Sequence, residues 1–128
     1  MICRRRGYHL TRTAARACLA LLARALAQEP QFIVLDEPTA SLDFGNQGRV
    51  MREIRALGAS GHGVLFTTHD PNHAMRAADR AYLLRQGVRL GEGAVGQVLG
   101  RTQLEALYGT PVQLITDAGG QHSAFLPG

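Results

Sequence analysis

The chain has 128 residues, of which 45% are hydrophobic, so it can form one domain with a buried core. No apolar run approaches the roughly 20 residues needed to span a bilayer, so we expect any membrane role to go through a partner. The formal net charge is +4, but residues 1–28 hold six of the fourteen arginines and no acidic residue, and the chain contains no lysine.

Features that bear on compartment favour the cytosol. Cys3 and Cys18 match no metal-ligand spacing and predict no disulfide framework, so a reduced setting is expected. Arg4–Arg6 followed by the apolar run Ala17–Ala23 imitates a signal or transit peptide, although Arg24 interrupts the apolar stretch. An arginine cluster can also bind phosphate backbones, but no accompanying pattern of aromatic residues is present, and we expect no nucleic-acid partner.

In the first half of the chain, hydrophobic periodicity predicts two helices and two strands. Leu19, Leu22 and Leu26 recur on one helical face, whereas residues 1–11 show no period. The β-branched, apolar run before Asp36 is typical of a buried strand. The predicted elements are a helix over 14–28, a strand over 31–35, a loop over 38–43, an amphipathic helix over 44–57 with Val50, Met51, Ile54 and Leu57 inward and a stop at Gly58, and a strand over 64–68.

In the second half, Asp70 is predicted as an N-cap and Pro71 as the first residue of a helix that ends near Asp79. Gln86 and Gly87 predict the turn of a hairpin. The other predicted elements are hairpin strands over 81–84 and 88–90, a helix over 101–107, and terminal strands over 112–115 and 123–126. Because strands and helices alternate, we predict an α/β fold of parallel units, in which ligands bind beyond the C-terminal ends of the strands.

Polar residues follow the two strands of the first half. Asp36 and Glu37 come after the first strand and His69 after the second, so we expect all three at one edge of the sheet. Carboxylates in such a place hold a cation or orient a water molecule. The alternatives are a solvated turn for the acidic pair and a hydrogen-bonded surface histidine for His69. The other histidines show no metal-ligand spacing and are expected at the surface: His9, His62, His73 and His122.

Two motifs carry a family resemblance. LDEPTASLD, residues 35–43, followed by LFTTHD, residues 65–70, resembles the C-terminal half of an ABC transporter ATPase subunit. The similarity runs from about residue 23 to about residue 112. It implies a partial P-loop NTPase core with parallel strands over 17–92 and a C-terminal β/α extension over 93–128, with residues 1–16 as a basic arm that departs from the family.

The resemblance also implies a role for each site residue. Asp36 ends the Walker B strand and would hold Mg²⁺ through its water shell. Glu37 corresponds to the catalytic glutamate that orients or deprotonates the attacking water. His69 corresponds to the switch histidine that reaches the γ-phosphate. Ser41 and Asp43 lie in the D-loop at the dimer interface, although Asp43 could also simply cap the following helix.

The tail narrows the resemblance to a group of importers. LEALYGTPVQLI, residues 104–115, and FTTHDPNHA, residues 66–74, resemble ATPases that energise uptake of iron-siderophore, haem or cobalamin complexes. This implies ATP and Mg²⁺ as cofactors. It also implies a second ATPase subunit and a membrane permease as partners, with the subunit on the cytoplasmic face of the membrane. The alternative for the tail is a helix-to-strand connection with a turn at Gly109, which says nothing of cargo.

The phosphate-binding elements of that family are missing from the sequence. A P-loop needs G-x-x-x-x-G-K-[ST], and the chain has no lysine. At the expected position of the LSGGQ signature stand residues 12–16, where Thr13 could mimic the serine but Ala14 and Ala15 replace glycines. We therefore expect no ATP hydrolysis by this chain alone, and an interrupted gene would explain the arm. The alternative is a non-catalytic fragment or interaction module that pairs with a full-length ATPase subunit.

Overall fold

The computed structural model describes residues 6–120 and 122–128, with side chains from residue 16 onward. The elements follow the order α1 (Arg6–Leu26), β1 (Phe32–Leu35), α2 (Phe44–Ala59), β2 (Gly63–Phe66), α3 (Pro71–Ala77), β3 (Arg80–Arg85), β4 (Val88–Ala94), α4 (Val95–Val98), α5 (Arg101–Tyr108), β5 (Val112–Thr116) and β6 (Ser123–Pro127). Residues up to His69 form one unit, and residues from Asp70 to the C-terminus form a second.

The first unit contains a parallel β-α-β arrangement. β1 and β2 pair in parallel, in a register that runs from Phe32 opposite Gly63 to Leu35 opposite Phe66. The ring of Phe32 covers Gly63 so closely that a Cβ there would lie 2.3 Å from a ring carbon. α2 connects the two strands, as expected for parallel pairing. The parallel α/β prediction is therefore confirmed for these two strands.

The predicted apolar face of α2 is confirmed, but its predicted end is wrong. Val50, Met51 and Ile54 are buried and Leu57 is half-buried, whereas Gly58 lies inside the helix. A glycine in a helix costs only about 1 kcal/mol relative to alanine, so it need not end one. The helix instead stops at the C-cap Ser60, whose N–H donates to the carbonyl of Ala56 at 3.0 Å.

α1 begins earlier than periodicity predicts. The helical pattern of apolar residues starts near residue 14, but the helix starts at Arg6 and so includes much of the basic arm. Residues 1–5 of that arm lie outside the described part of the chain. Arginines and small residues have no apolar stripe to reveal a helix, yet arginine and alanine both have high helix propensity. Leu22 is the buried residue of the described face.

The second unit begins with the predicted helix α3 and hairpin. Asp70 caps α3 by accepting a hydrogen bond from the N–H of Asn72 at 2.8 Å. β3 and β4 are antiparallel, and Gln86 and Gly87 between them have φ of 51° and 78°, which suits a two-residue hairpin turn. β3 thus belongs to a sheet with β4, so the predicted parallel pairing is limited to β1 and β2.

A small core joins the later elements of the second unit. It contains Leu83, Val98, Leu99, Leu104, Val112 and Phe125, contributed by β3, α4, α5, β5 and β6 and by the loop after α4. The terminal strands β5 and β6 pair in antiparallel fashion, as predicted. The four-residue helix α4 was not predicted, because one turn is too short to show a period. Gly109 ends α5 with φ of 70°, the left-handed conformation that favours glycine.

The expectation that His73 lies at the surface is wrong. Its side chain is buried in α3, and Nε2 lies 3.6 Å from Oδ2 of the N-cap residue Asp70. α3 has seven residues, so a single histidine on its inner face leaves no periodic signal in the sequence.

Candidate active site

The parallel register brings the ends of β1 and β2 together. Leu35 and Phe66, the last residues of the two strands, lie opposite each other. The N–H of Thr67 continues the pairing by donating to the carbonyl of Leu35 at 2.9 Å. Asp36 and Glu37 therefore leave β1 beside the segment that leaves β2, as the sequence predicts.

Thr67 connects the two acidic residues. Its Oγ1 donates to Oδ1 of Asp36 at 2.6 Å, and the same oxygen accepts from the backbone N–H of Glu37 at 2.9 Å. Sequence reasoning missed this residue. The available signal was positional, because in a parallel pair the first residue after one strand lies near the first residue after the other.

Glu37 and His69 form the second contact of the site. Oε2 of Glu37 lies 2.9 Å from Nδ1 of His69. The side chain of His69 is 80% exposed and that of Glu37 is 37% exposed, so the pair faces solvent. The backbone of Glu37 is left-handed, with φ of 46°, and its carbonyl accepts from the N–H of Ala40 at 3.0 Å. The predicted grouping of Asp36, Glu37 and His69 is thus present in the structure.

Ser41 and Asp43 lie in the loop that leads into α2. Ser41 is exposed and left-handed, with φ of 66°. Asp43 is the N-cap of α2, and its two carboxylate oxygens accept from the backbone and side-chain nitrogens of Asn46 at 2.9 and 3.0 Å. The capping interpretation of Asp43 is therefore correct. The interface role of both residues stays a prediction.

An apolar groove lies beside the acidic pair. It has a volume of about 550 Å³ and runs between α1 and β1 to Asp36, Glu37 and Pro38. Cys18 lines it, and Sγ donates to the carbonyl of Pro38 at 3.6 Å. Burial raises the pKa of the Cys18 thiol, so the neutral donor form is favoured. α1 thereby contacts the loop that carries Glu37.

The donor set fits Mg²⁺ held mainly by water. Among residues 6–120 and 122–128, no three histidine, cysteine or acidic side chains cluster as ligands for a metal ion. Mg²⁺ does not need such a cage, since it commonly uses one or two carboxylates, phosphate oxygens and several waters. The exposed carboxylate of Asp36 suits that role.

The chain does not have the family's two phosphate-binding motifs in a usable form. The sequence contains no lysine and hence no P-loop lysine. Residues 12–16, at the expected position of the signature motif, lie within the continuous helix α1. Backbone N–H groups in the middle of a helix are bonded within the helix and are not available to an anion. The site therefore has groups suited to a cation and a water, without a built cradle for phosphates.

A family model and several curated proteins match this chain. A family model described as "AAA domain, putative AbiEii toxin, Type IV TA system" matches residues 13–74, which include β1, α2 and β2. The hemin import ATP-binding protein HmuV of Rhodococcus jostii is 44% identical over 94 residues, which are 73% of this chain and 32% of that protein. The vitamin B12 import ATP-binding protein BtuD of Photobacterium profundum is 35% identical over 82% of this chain and 41% of that protein.

Solved structures of ABC transporter proteins also resemble this chain. A chain from "an inward-facing conformation of a putative metal-chelate type ABC transporter" is 33% identical, with a TM-score of 0.80 over 88% of this chain and 46% of that chain. The chain is homologous to part of the ATP-binding subunits of ABC transporters. It resembles the subunits that serve haem, cobalamin and metal-chelate importers. The chain spans about a third of the length of the curated relatives that it matches.

A further solved structure has a similar fold. The ATP-binding cassette MJ1267 in its ADP conformation is 26% identical, with a TM-score of 0.65 over 73% of this chain and 39% of that chain.

In the described part of the chain, no helix has the length and apolarity required to cross a bilayer.

Proposed function

We propose that this chain supplies the hydrolytic groups of an ATP site in an ABC importer for haem, cobalamin or another iron complex. The observation that carries the proposal is the hydrogen-bonded series from Asp36 through Thr67 to Glu37 and on to His69 at the end of β1 and β2. It brings the acidic pair and the histidine together at one edge of the two parallel strands.

Each side chain has a separate task in this proposal. Asp36 provides the carboxylate for the hydration shell of Mg²⁺, which when bound neutralises charge on the transferred phosphoryl group. Glu37 holds the attacking water and accepts its proton. His69 contacts Glu37 at 2.9 Å and, from its exposed position, would donate a hydrogen bond to the γ-phosphate.

In this proposal, other polypeptide segments supply the phosphate-binding groups, and other subunits complete the transporter. Because the chain has neither a P-loop nor a glycine-containing signature, we expect no tight ATP binding by these 128 residues alone. Ser41 and Asp43 would lie against a second ATPase subunit. A membrane permease would hold the assembly at the cytoplasmic face of the membrane.

The proposal is tested by nucleotide binding and phosphate release. Calorimetry with MgATP should show no binding in the micromolar range to the chain alone. Addition of the P-loop-bearing segment of a haem-import relative should produce MgATP binding and phosphate release. In that mixture, Glu37→Gln should keep binding but slow release by about 100- to 10,000-fold. Micromolar affinity of the chain alone, or release that is unchanged by Glu37→Gln, contradicts the proposal.

A second candidate is a non-catalytic module that pairs with a full-length ATPase subunit. The parallel strands favour it, because Phe32, Val34 and Leu65 are 76%, 71% and 64% exposed on them. Parallel strands are usually covered on both faces. Light scattering after size-exclusion chromatography would separate the two candidates. A stable complex with a full-length relative, whose ATP hydrolysis is indifferent to Glu37→Gln in this chain, favours the module.

A further inference from the structure

The hydroxyl of Thr67 stands between the two acidic residues, and the direction of each of its hydrogen bonds is fixed. The backbone N–H of Glu37 can only donate, so Oγ1 accepts from it at 2.9 Å. The ionised carboxylate of Asp36 can only accept, so Oγ1 gives its one proton to Oδ1 at 2.6 Å. A threonine hydroxyl has one proton to donate, and here that proton is committed to Asp36.

The hydrogen bond between Thr67 and the N–H of Glu37 involves a residue whose backbone conformation is unfavourable. Glu37 has φ of 46°, a left-handed conformation that costs a non-glycine residue about 1 kcal/mol or more. Such a conformation persists only where surrounding contacts hold it. The N–H of Glu37 is held by Thr67 and its carbonyl by Ala40. Thr67 therefore helps to set the direction in which the side chain of Glu37 leaves the backbone.

The contact with Asp36 occupies one acceptor site of its carboxylate. Thr67 donates to Oδ1, and the other lone pairs of the carboxylate stay available to a cation or its water shell. A short hydroxyl–carboxylate bond of this kind also fixes the rotation of the carboxylate. Thr67, which follows β2, thus orients both acidic residues that follow β1.

We propose that Thr67 is a positioning residue for the Asp36–Glu37 pair. It holds Glu37 in its left-handed conformation, within reach of His69, and fixes the rotation of the Asp36 carboxylate. The inference rests on the proposed function for its catalytic meaning, but its geometry can be measured without nucleotide. Thr67 touches neither substrate nor metal in this role and acts only through the two acids.

The test compares three variants of the full chain by NMR. Thr67→Ser keeps the hydroxyl, whereas Thr67→Val and Thr67→Ala remove it. In both hydroxyl-lacking variants, amide hydrogen exchange at Glu37 should become about five- to tenfold faster, the change expected from losing one hydrogen bond. In Thr67→Ser it should stay at the wild-type rate. The amide of Asn46 in α2, which donates to the carboxylate of Asp43 and not to Thr67, is the internal control and should not change.

A second readout follows the side chain of Glu37 through His69. The ring ¹⁵N signals of His69 report its contact with Glu37, and Glu37→Gln gives the reference for loss of the carboxylate in that contact. Thr67→Val and Thr67→Ala should shift these signals toward the Glu37→Gln reference, and Thr67→Ser should restore the wild-type signals. A threonine that merely stabilised the strand end would leave the ring signals unchanged in any variant that folds.

Three results would overturn the inference. The first is wild-type exchange at Glu37 and wild-type ring signals at His69 in Thr67→Val. The second is a Thr67→Ser variant that behaves like Thr67→Val. The third is unfolding of both hydroxyl-lacking variants in a thermal melt, which would make the hydroxyl a fold requirement. Failure of the hydrolytic proposal differs from all three, because Glu37→Gln would then have no effect on phosphate release while the NMR differences remained.

Discussion

The side-chain amide of Asn72 forms two hydrogen bonds with the backbone of Phe125, which is 53 residues away in the chain. Nδ2 donates to the carbonyl of Phe125 at 3.0 Å, and Oδ1 accepts from its N–H at 2.8 Å. The amide thus pairs with β6 as a neighbouring strand would. Asn72 lies in the first turn of α3, so this contact attaches the C-terminal hairpin β5–β6 to α3.

Replacement of Asn72 by alanine should release that hairpin. Both bonds are lost and two backbone groups of β6 lose their partner, so we expect a decrease of about 1–3 kcal/mol in the free energy of unfolding. Asn72→Asp should not restore the wild-type stability, because it keeps the acceptor for the N–H of Phe125 but sets a carboxylate oxygen against the carbonyl of Phe125. Urea denaturation measures both variants, with the exposed Gln97→Ala as the control. Equal stability of Asn72→Ala and the wild type contradicts the role of this contact.

Asp43 offers a way to separate helix capping from an interface role. Asp43→Ala removes the acceptor for the N–H of Asn46 and should lower the free energy of unfolding by about 0.5–2 kcal/mol. Asp43→Asn should be nearly neutral, because asparagine is an equally good N-cap. A two-variant urea series gives the result. If Asp43→Asn loses as much stability as Asp43→Ala, the carboxylate charge matters beyond the cap.

The edge of the sheet at which the site lies could be predicted. Asp36, Glu37 and His69 each come after an apolar run, and parallel strands place such residues at one edge. The family motifs then suggested their roles. Thr67 also follows a strand, but its bond to Asp36, 31 residues away, depends on the register of β1 and β2, which was not predicted.

In the fold, too, features with a local signal could be predicted, and features that depend on long-range contacts could not. Capping residues and the hairpin turn carry local chemical signals, so Asp70 and the Gln86–Gly87 turn were predicted correctly. The pairing of Asn72 with Phe125 carries no such signal, since its partner atoms are backbone and any residue type supplies them. The burial of His73 was missed for a related reason, because it depends on tertiary packing around one short helix.

Glu105 should make stability depend on pH. Hydrogen bonds from Arg101 at 3.0 Å and from the N–H of Val112 at 3.1 Å lower the pKa of this carboxyl below its ordinary value, with the bond from Arg101 as the largest cause. A pKa lowered in the folded state means that the contribution is present above the unfolded pKa. It is lost as the pH falls through the folded pKa. Stability of the wild type should therefore fall in the acid range.

The matched variant for this prediction is Glu105→Gln, which removes the titrating group. Thermal midpoints measured from neutral to acid pH should fall less steeply for Glu105→Gln than for the wild type. Arg101→Gln should reduce the slope partly, because the bond from Val112 remains. Identical pH profiles for the wild type and Glu105→Gln would show that the carboxylate contributes nothing to folding.

Two glycines near the C-terminal ends of helices should respond to alanine in opposite directions. Gly58 lies inside α2, and a Cβ there meets nothing within 4 Å. Gly58→Ala should raise the free energy of unfolding by about 0.5–1 kcal/mol, because alanine has the higher helix propensity. Urea denaturation measures the change, with the m-value held equal for the variant and the wild type. A loss of stability in this variant would mean that the last turn of α2 is not helical in solution.

Gly109 should respond in the other direction because its backbone is left-handed. It caps α5 with φ of 70°, and a Cβ would lie 3.3 Å from a guanidinium nitrogen of Arg85. Gly109→Ala should therefore lower the free energy of unfolding by about 1–2 kcal/mol. Gly109→Asn should lose less, since asparagine tolerates the left-handed region better than alanine. If alanine and asparagine cost the same, the crowding against Arg85 outweighs the backbone conformation, and Arg85→Ala should then rescue both variants.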